Sequence, residues 1–537
     1  MTRRARHFLG ALALAAVATA APLGAQSQSR DWTRAWSPLR PIIPILRQLP
    51  LATAVEDWKL GYSPRAGLFW TASNPAGITR DVSESRARLE LSRDDAAGTY
   101  RRPLDPDGVT TWSLHGLGWR HLGRGAVAGR ITFADRHADF ATGTDVLSPY
   151  DPDPFVLVDT TSPGRGSTHA SLEGANGWRF GGWYAGLSLG AELHRDRTEN
   201  TRFSRIGRSS ATGAAIGIGR EIAPLRLTVA AHARLLGRRE THLLSTTPDG
   251  SSAFILFGYD DPDTIPVSPP GGVLRRTNAD GLAGGGAVTG TVGSISWTAF
   301  FERGRWDAGH VFTVSIDSAA TDTWDARATH LGVAVRIPLF RRLLLQLDAA
   351  RRSLHGDARR ADLTGVVFRV SDASLSMGGS LELADPTSPW LVAISVRGEH
   401  LSLYREDFLA RVPLDLDTWM SEAALVVGRH VGRGGAGVVL AGGLYTPAAA
   451  IPDPATLGPV YQRYIAPEHS LQAVAALPVS VGLWLRYRFS GGAAMYLQGE
   501  YDRTASRGAL PPIPALPTGN RHRNRVALGI ELTPLGN

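Results

Sequence analysis

Apolar and polar residues alternate along nearly the whole chain from about residue 83 onward. In Ala185-Gly186-Leu187-Ser188-Leu189-Gly190-Ala191-Glu192-Leu193-His194 the odd positions are apolar and the even ones small or polar. A period of two is a strand signal. Ten residues of it is the length of a tilted strand that crosses a bilayer. The same alternation recurs in Val481–Phe489, in Leu331–Ile337 and in Val526–Leu532. It predicts many long antiparallel strands.

Short turn-forming stretches separate these strands in pairs. They are predicted at 122–125, 174–177, 221–224, 289–293, 338–341, 385–389, 431–434 and 490–492, where Gly, Pro, Asn or Asp supplies the backbone angles of a hairpin. The other connections are long, at roughly 94–108, 136–165, 196–205, 239–279, 307–324, 354–371, 405–416, 446–466 and 503–520. Short turns on one side and long loops on the other are the asymmetry of an outer-membrane barrel. With a first strand near 83–93 and a last near 521–533, the count is about eighteen, and both ends lie on the periplasmic side. The segment 468–489 must then run as one strand through Pro478, a residue that strand interiors disfavour. The fold class is therefore all-β: a transmembrane up-and-down barrel occupying 81–537.

Two segments precede the wall. Residues 1–25 read as a secretory signal peptide, with Arg3, Arg4 and Arg6 before an apolar run and small residues up to Ala25. Residues 26–80 are irregular, with Pro38, Pro41, Pro44 and Pro50 around Ile42-Ile43-Pro44-Ile45-Leu46. They are expected outside the wall, as a plug in the lumen or a periplasmic extension.

The apolar face of each strand must meet lipid, so the polar face must meet the lumen. Candidate lumen-lining residues are Arg86, Arg88, Arg130, Arg336, Arg397, Arg486, Arg488, Glu192 and Glu399. Arg226, Arg234, Glu90, Glu302, Glu382, Glu500 and Glu531 fall on the same face by alternation. Trp112, Trp119, Trp178, Trp183, Trp297, Phe301, Trp390 and Tyr404 cluster toward strand ends, as interfacial girdles do.

Composition narrows the chemistry. Among 537 residues there is no Cys, which excludes disulfides and thiolate ligands. The net charge is +8, or +5 once the three leader arginines are removed. The arginines are scattered along strands without a basic block, so no nucleic-acid partner is expected. No nucleophile elbow, phosphate loop or zinc motif is present. His169 and Ser171 share one strand face but have no visible third member, so no enzyme is expected and no cofactor either. The loop pieces Asp151-Pro152-Asp153 and Asp260-Asp261-Pro262-Asp263 have oxygen donors suited to Ca²⁺ but read better as solvated turns.

Residues 110–200, with Leu147-Ser148-Pro149-Tyr150, Asp159 and Gly182-Trp183-Tyr184-Ala185-Gly186-Leu187, resemble an uncharacterised family of outer-membrane β-barrels. Ser73-Asn74-Pro75-Ala76-Gly77 is similar to barrel families whose N-terminal segment leads into the lumen, fatty-acid transporters among them. The family has no assigned active residues, so the resemblance implies a compartment and no site. The expected function is passage of a small solute across the outer membrane of a Gram-negative-type bacterium. A plugged, non-conducting scaffold is the alternative and an outer-membrane hydrolase the third. Expected partners are outer-membrane lipid and lipopolysaccharide, a small solute in the lumen and a partner protein at the long loops. The loops 136–165 and 239–279 carry apolar pieces, Pro154–Val158 and Ala253–Tyr259, and at least one is expected to fold into the mouth or to dock a partner.

Overall fold

A computed structural model of the chain describes residues 74–81, 85–99, 106–139, 155–159, 164–198, 203–246, 253–257, 262–265, 273–314, 317–318, 321–383, 388–409, 411–450, 474–507 and 519–532. The wall runs through β1 (Arg86–Gly98), β2 (Gly108–Leu122), β3 (Gly125–Asp139), β4 (Arg165–Phe180), β5 (Trp183–Thr198) and β6 (Phe203–Ile222). It continues through β7 (Leu227–Thr246), β8 (Val273–Val292), β9 (Ile295–Val314), β10 (Asp322–Leu339), β11 (Leu343–Arg359) and β12 (Phe368–Leu383). The last third is β13 (Trp390–Asp407), β14 (Val412–Val431), β15 (Gly434–Ala450), β16 (Ala475–Arg488), β17 (Ala493–Arg507) and β18 (Asn520–Leu532). Each strand pairs antiparallel with its successor, and β1 pairs with β18 from Ala87↔Leu532 to Gly98↔Arg521. The sheet is thus a closed barrel of 18 strands. Closure leaves no row of unpaired backbone groups, which is what allows a sheet to stand in lipid.

Alternation sets the two faces. In β5, Leu187, Leu189 and Leu193 are exposed, while Ser188, His194 and Asp196 at positions of the opposite parity are buried. Val479, Val481, Leu483 and Leu485 of β16 and Val526, Leu528 and Ile530 of β18 are likewise exposed on the outside. So much outward apolar surface is unsuited to water and suited to a bilayer, where a lipid-facing charge costs about 2–4 kcal/mol at mid-membrane. The chain is an outer-membrane β-barrel. Trp112, Trp178, Trp183, Trp390 and Tyr404 stand on the outer face as expected for girdles. Trp119 does not: it is buried, on the inward face of β2.

Tight turns close most hairpins at one end. Gly123, Gly181, Gly293 and Gly432 each begin a two-residue turn with φ between 57° and 62°, a region that costs glycine little. The predicted turn at 174–177 is therefore misplaced, since β4 runs through it to Phe180. Likewise 289–292 belongs to β8. Gly177 is small because Ile78 presses on it from the barrel interior, and Gly290 because its outward ladder neighbours Leu227 and Trp297 crowd it: a Cβ would strike Ile78 at the first and Leu227 at the second. Arg226 is also not on the wall. It ends the β6–β7 turn, exposed, with a left-handed φ of 50°.

β16 does run through Pro478. Its ladder to β17 is unbroken, with Pro478 opposite Thr504. Its ladder to β15 lapses between Gly442↔Val479 and Tyr445↔Ala476. The missing proline N–H thus interrupts pairing on one side while the register is kept. The predicted long loops are shorter than expected because strands extend above the membrane: 239–246 and 273–279 are ladder, not loop.

Candidate functional site

The inward face is polar along the seam that closes the barrel. Glu90 of β1 accepts from Arg88 Nη2 at 2.7 Å, Arg525 Nη2 at 2.7 Å and the Tyr496 hydroxyl at 2.6 Å. Glu531 of β18 is paired with Arg86 and with Arg486, the latter at 2.6 Å. Arg523 Nε donates to Asp94 at 2.7 Å. A second knot lies on β7 and β9, where Glu302 accepts from Arg234 at 2.6 Å and meets His232 at 2.7 Å. Arg234 is 2% exposed. Charges so far from water are tolerable only when paired in this way.

The predicted lumen residues fall on this inward face and divide into two sets. Arg86, Arg88 and Arg486 are locked in the seam. Arg130 is paired with Glu173 on the neighbouring strand. Glu192 contacts His169 at 3.0 Å with about half its side chain exposed, and Arg397 lies 4.0 Å from Asp348. Arg336, Arg488 and Glu399 are half-buried. The structure therefore brings three of the nine to the seam, in two neighbouring clusters on Glu531 and Glu90, and spreads the others round the wall. Sequence reasoning missed the inward Tyr496, which lies opposite Gly529, and the inward His232.

A short segment sits against the inner wall. Pro75–Gly77 form a 3-10 turn and Ile78–Asp81 one helical turn. Asn74 caps the turn: its side-chain oxygen accepts the Ala76 N–H at 2.9 Å and its amide donates to the Ala231 carbonyl at 3.0 Å. Ala76 and Ile78 are completely buried. Gly177, Gly186 and Gly217, on the inward faces of β4, β5 and β6, make room for it: a Cβ at these positions would strike Ile78, Pro75 and Asn74 respectively. This docking explains three glycines that alternation alone leaves unexplained.

The outer half of the inward face is apolar on one side. Trp306 and Phe312 of β9, Trp324 of β10, Leu354 of β11, Phe368 of β12 and Leu401 and Leu403 of β13 belong to one buried cluster. Phe155 joins it from the β3–β4 connection, 1% exposed, with its ring 5.1 Å from that of His310. Arg275 Nη1 donates to the Phe155 carbonyl at 2.9 Å. Phe155–Asp159 pairs with Ala253–Phe257, which pairs with Pro262–Ile265. The two apolar loop pieces thus form one three-stranded sheet, and its first residue reaches into the mouth as anticipated.

His169 has an orienting carboxylate in Glu192. Ser171 lies opposite Glu192 in the ladder, but no hydrogen bond joins it to His169 among the described contacts. Among the described residues no group of three or more His, Cys, Asp or Glu is placed to hold a metal. Asp151, Asp153, Asp260 and Asp261 lie outside the described residues, as do residues 26–73.

No family model matches the chain, and no curated protein matches it. Among solved structures it is similar to BauA, the ferric preacinetobactin receptor from Acinetobacter baumannii. That likeness has 10% identity over 83% of this chain and 80% of that one, with a TM-score of 0.39. The copper transporter OprC is 10% identical over 83% and 80%, with a TM-score of 0.40. The ferric citrate transporter FecA in its unliganded form is 7% identical over 84% and 79%, also at 0.40. The closure and membrane band of the present barrel are given by its own ladders and faces.

Proposed function

We propose that this barrel passes a small solute across the outer membrane through a lumen gated from within by the chain's own N-terminal segment. The docking of Asn74–Thr79 on Gly177, Gly186 and Gly217 carries this reading. The stretch Asn74–Thr79, just ahead of β1, is thus held inside the barrel. Clusters of paired Arg and Glu, beside an apolar inner wall, suit a solute with both polar and apolar parts. No chemical step is needed. Selection would come from shape, from the loosely held Arg397 and Arg488, and from the sheet at the mouth.

The runner-up is a permanently plugged scaffold, favoured by the density of inward ion pairs. Planar-bilayer recording of refolded protein separates the two. Full-length protein should be silent or flicker, while a variant lacking 26–81 should conduct steadily. Gly217→Val, which evicts Asn74 without shortening the chain, should move the full-length protein toward the deletion's behaviour. A deletion variant that folds, as judged by heat-modifiable gel mobility, yet carries no current would leave the scaffold reading.

A further inference from the structure

Inward arginines such as Arg86, Arg130, Arg234 and Arg486 have carboxylate partners, yet one flank of the outside carries a run of arginines that do not. Arg195 on β5, Arg208 on β6, Arg239 on β7, Arg276 on β8, Arg303 on β9 and Arg327 on β10 are all exposed. By alternation each shares its strand's outward face with lipid-facing residues such as Leu193, Ile216, Leu235, Leu282, Phe301 and Leu331. Each lies on the long-loop side of those residues. The six therefore form a belt along the outer edge of the apolar band, over six consecutive strands.

Two features make the belt unsatisfied by itself. Arg195 stands directly opposite Arg208 in the ladder, and Arg305 directly opposite Arg327. Like charges in that relation repel. Arg305 is relieved by Asp307 at 2.9 Å and Asp325 at 2.7 Å. Among the described residues no carboxylate is paired with Arg195, Arg208, Arg239, Arg276, Arg303 or Arg327. On the far flank the outward arginines are fewer and set among acids: Arg93 of β1 is held by Asp95, Arg369 of β12 by Asp357, and Arg503 of β17 stands alone among the described residues, while Asp135 of β3 and Asp415 and Asp417 of β14 are exposed beside them. Leu282, Gly284, Arg303, Gly304, Arg305 and Arg327 line a shallow depression of about 390 Å³ on the belt.

We infer that the β5–β10 flank is a binding surface for a phosphorylated lipid of the outer leaflet, with acyl chains along the apolar band and head-group phosphates on the arginines. Guanidinium forks match phosphate oxygens in charge and geometry. The site of the arginines, at the lipid's polar boundary and not on the loops above, favours a membrane lipid over a soluble anion. The inference is independent of what passes through the lumen.

The test is native mass spectrometry of refolded protein in detergent, titrated with bisphosphorylated lipid A and, separately, with the same lipid enzymatically stripped of phosphate. Wild type should retain the phosphorylated lipid at least tenfold more tightly. Combined Arg208→Gln, Arg303→Gln and Arg327→Gln should erase that difference, and Arg503→Gln on β17 should leave it intact. Equal retention of both lipids by wild type overturns the inference, and this comparison needs no variant to fold. So does full displacement by millimolar inorganic phosphate, which would mark a site for free anion. So does a folded triple variant that still discriminates.

Discussion

Tyr496 reaches across a whole strand to Glu90. It projects from β17, passes over β18 at Gly529 and donates its hydroxyl to the Glu90 carboxylate of β1 at 2.6 Å. A Cβ on Gly529 would strike its ring. The first and penultimate strands of the barrel are thus tied through their side chains at the place where the ladder itself closes.

Removing that hydroxyl should loosen closure. Tyr496→Phe leaves Glu90 with its two arginines but unpairs a buried acceptor site, a loss of about 1–3 kcal/mol. The temperature at which the folded, fast-migrating gel band converts should fall. Tyr501→Phe, on the exposed face of the same strand, serves as the comparison and should shift little. An equal fall in both would mean that the seam tie contributes nothing special.

Face assignment predicts which arginine insertions the membrane rejects. Leu187 is exposed on the outside, so Leu187→Arg places a charge in lipid at a cost of up to about 2–4 kcal/mol. Ser188 points inward but is 2% exposed, so an arginine there would overpack the wall. Glu192 is the better inward partner, with 53% of its side chain exposed. Leu187→Arg should abolish most of the folded band, and Glu192→Arg should keep it.

The strand count and the up-and-down pairing were legible because lipid on one side and polar surroundings on the other force a period of two. What alternation cannot express is what fills the interior. Gly174–Gly177 looks like a turn to local reasoning, since glycine serves turns and close approaches alike; only the docked Ile78 distinguishes them. Arg226 has the parity of the inward Arg234, but it caps the 3-10 turn Ala223–Leu225 one residue before β7 begins, so alternation does not govern it. Trp119 sits near a strand end as girdle residues do, yet its parity in β2 points inward, and it is buried. The outward arginine belt is written in the sequence but emerges only when ladder register sets neighbouring strands side by side.

Pairing also limits the selectivity of any open lumen. Arg86, Arg88, Arg130 and Arg486 are each matched by a carboxylate. Arg397 is held more loosely, with 38% of its side chain exposed. A conducting variant lacking 26–81 should therefore prefer anions weakly at low salt and lose the preference near physiological ionic strength, where fields decay within about 8 Å. Arg397→Gln should reduce the preference further. A reversal potential of cationic sign under a salt gradient would contradict this charge map.

The mouth offers the sharpest separation between lid and ornament. Phe155 is buried in a cluster with Val273 and Phe312, and Arg275 grips its carbonyl at 2.9 Å. The strand Phe155–Asp159 is in turn paired to Ala253–Phe257, so the two longest connections are tied to each other and, through Phe155, to the wall. Cutting one should release both. Deleting 252–260 removes the middle strand of the small sheet, and Phe155→Ala removes the anchor while leaving the sheet's backbone bonds. Burial of a phenylalanine is worth about 3–5 kcal/mol against alanine in a packed core, enough to change a closed mouth into one that opens often. In the background lacking 26–81, both changes should raise conductance, the deletion more than the point substitution. Limited proteolysis should then cut within 140–154 far faster than in the parent. If conductance and cleavage both stay at the parent's level, Phe155 is not what holds the mouth, and the small sheet is decoration above a pore whose constriction lies deeper.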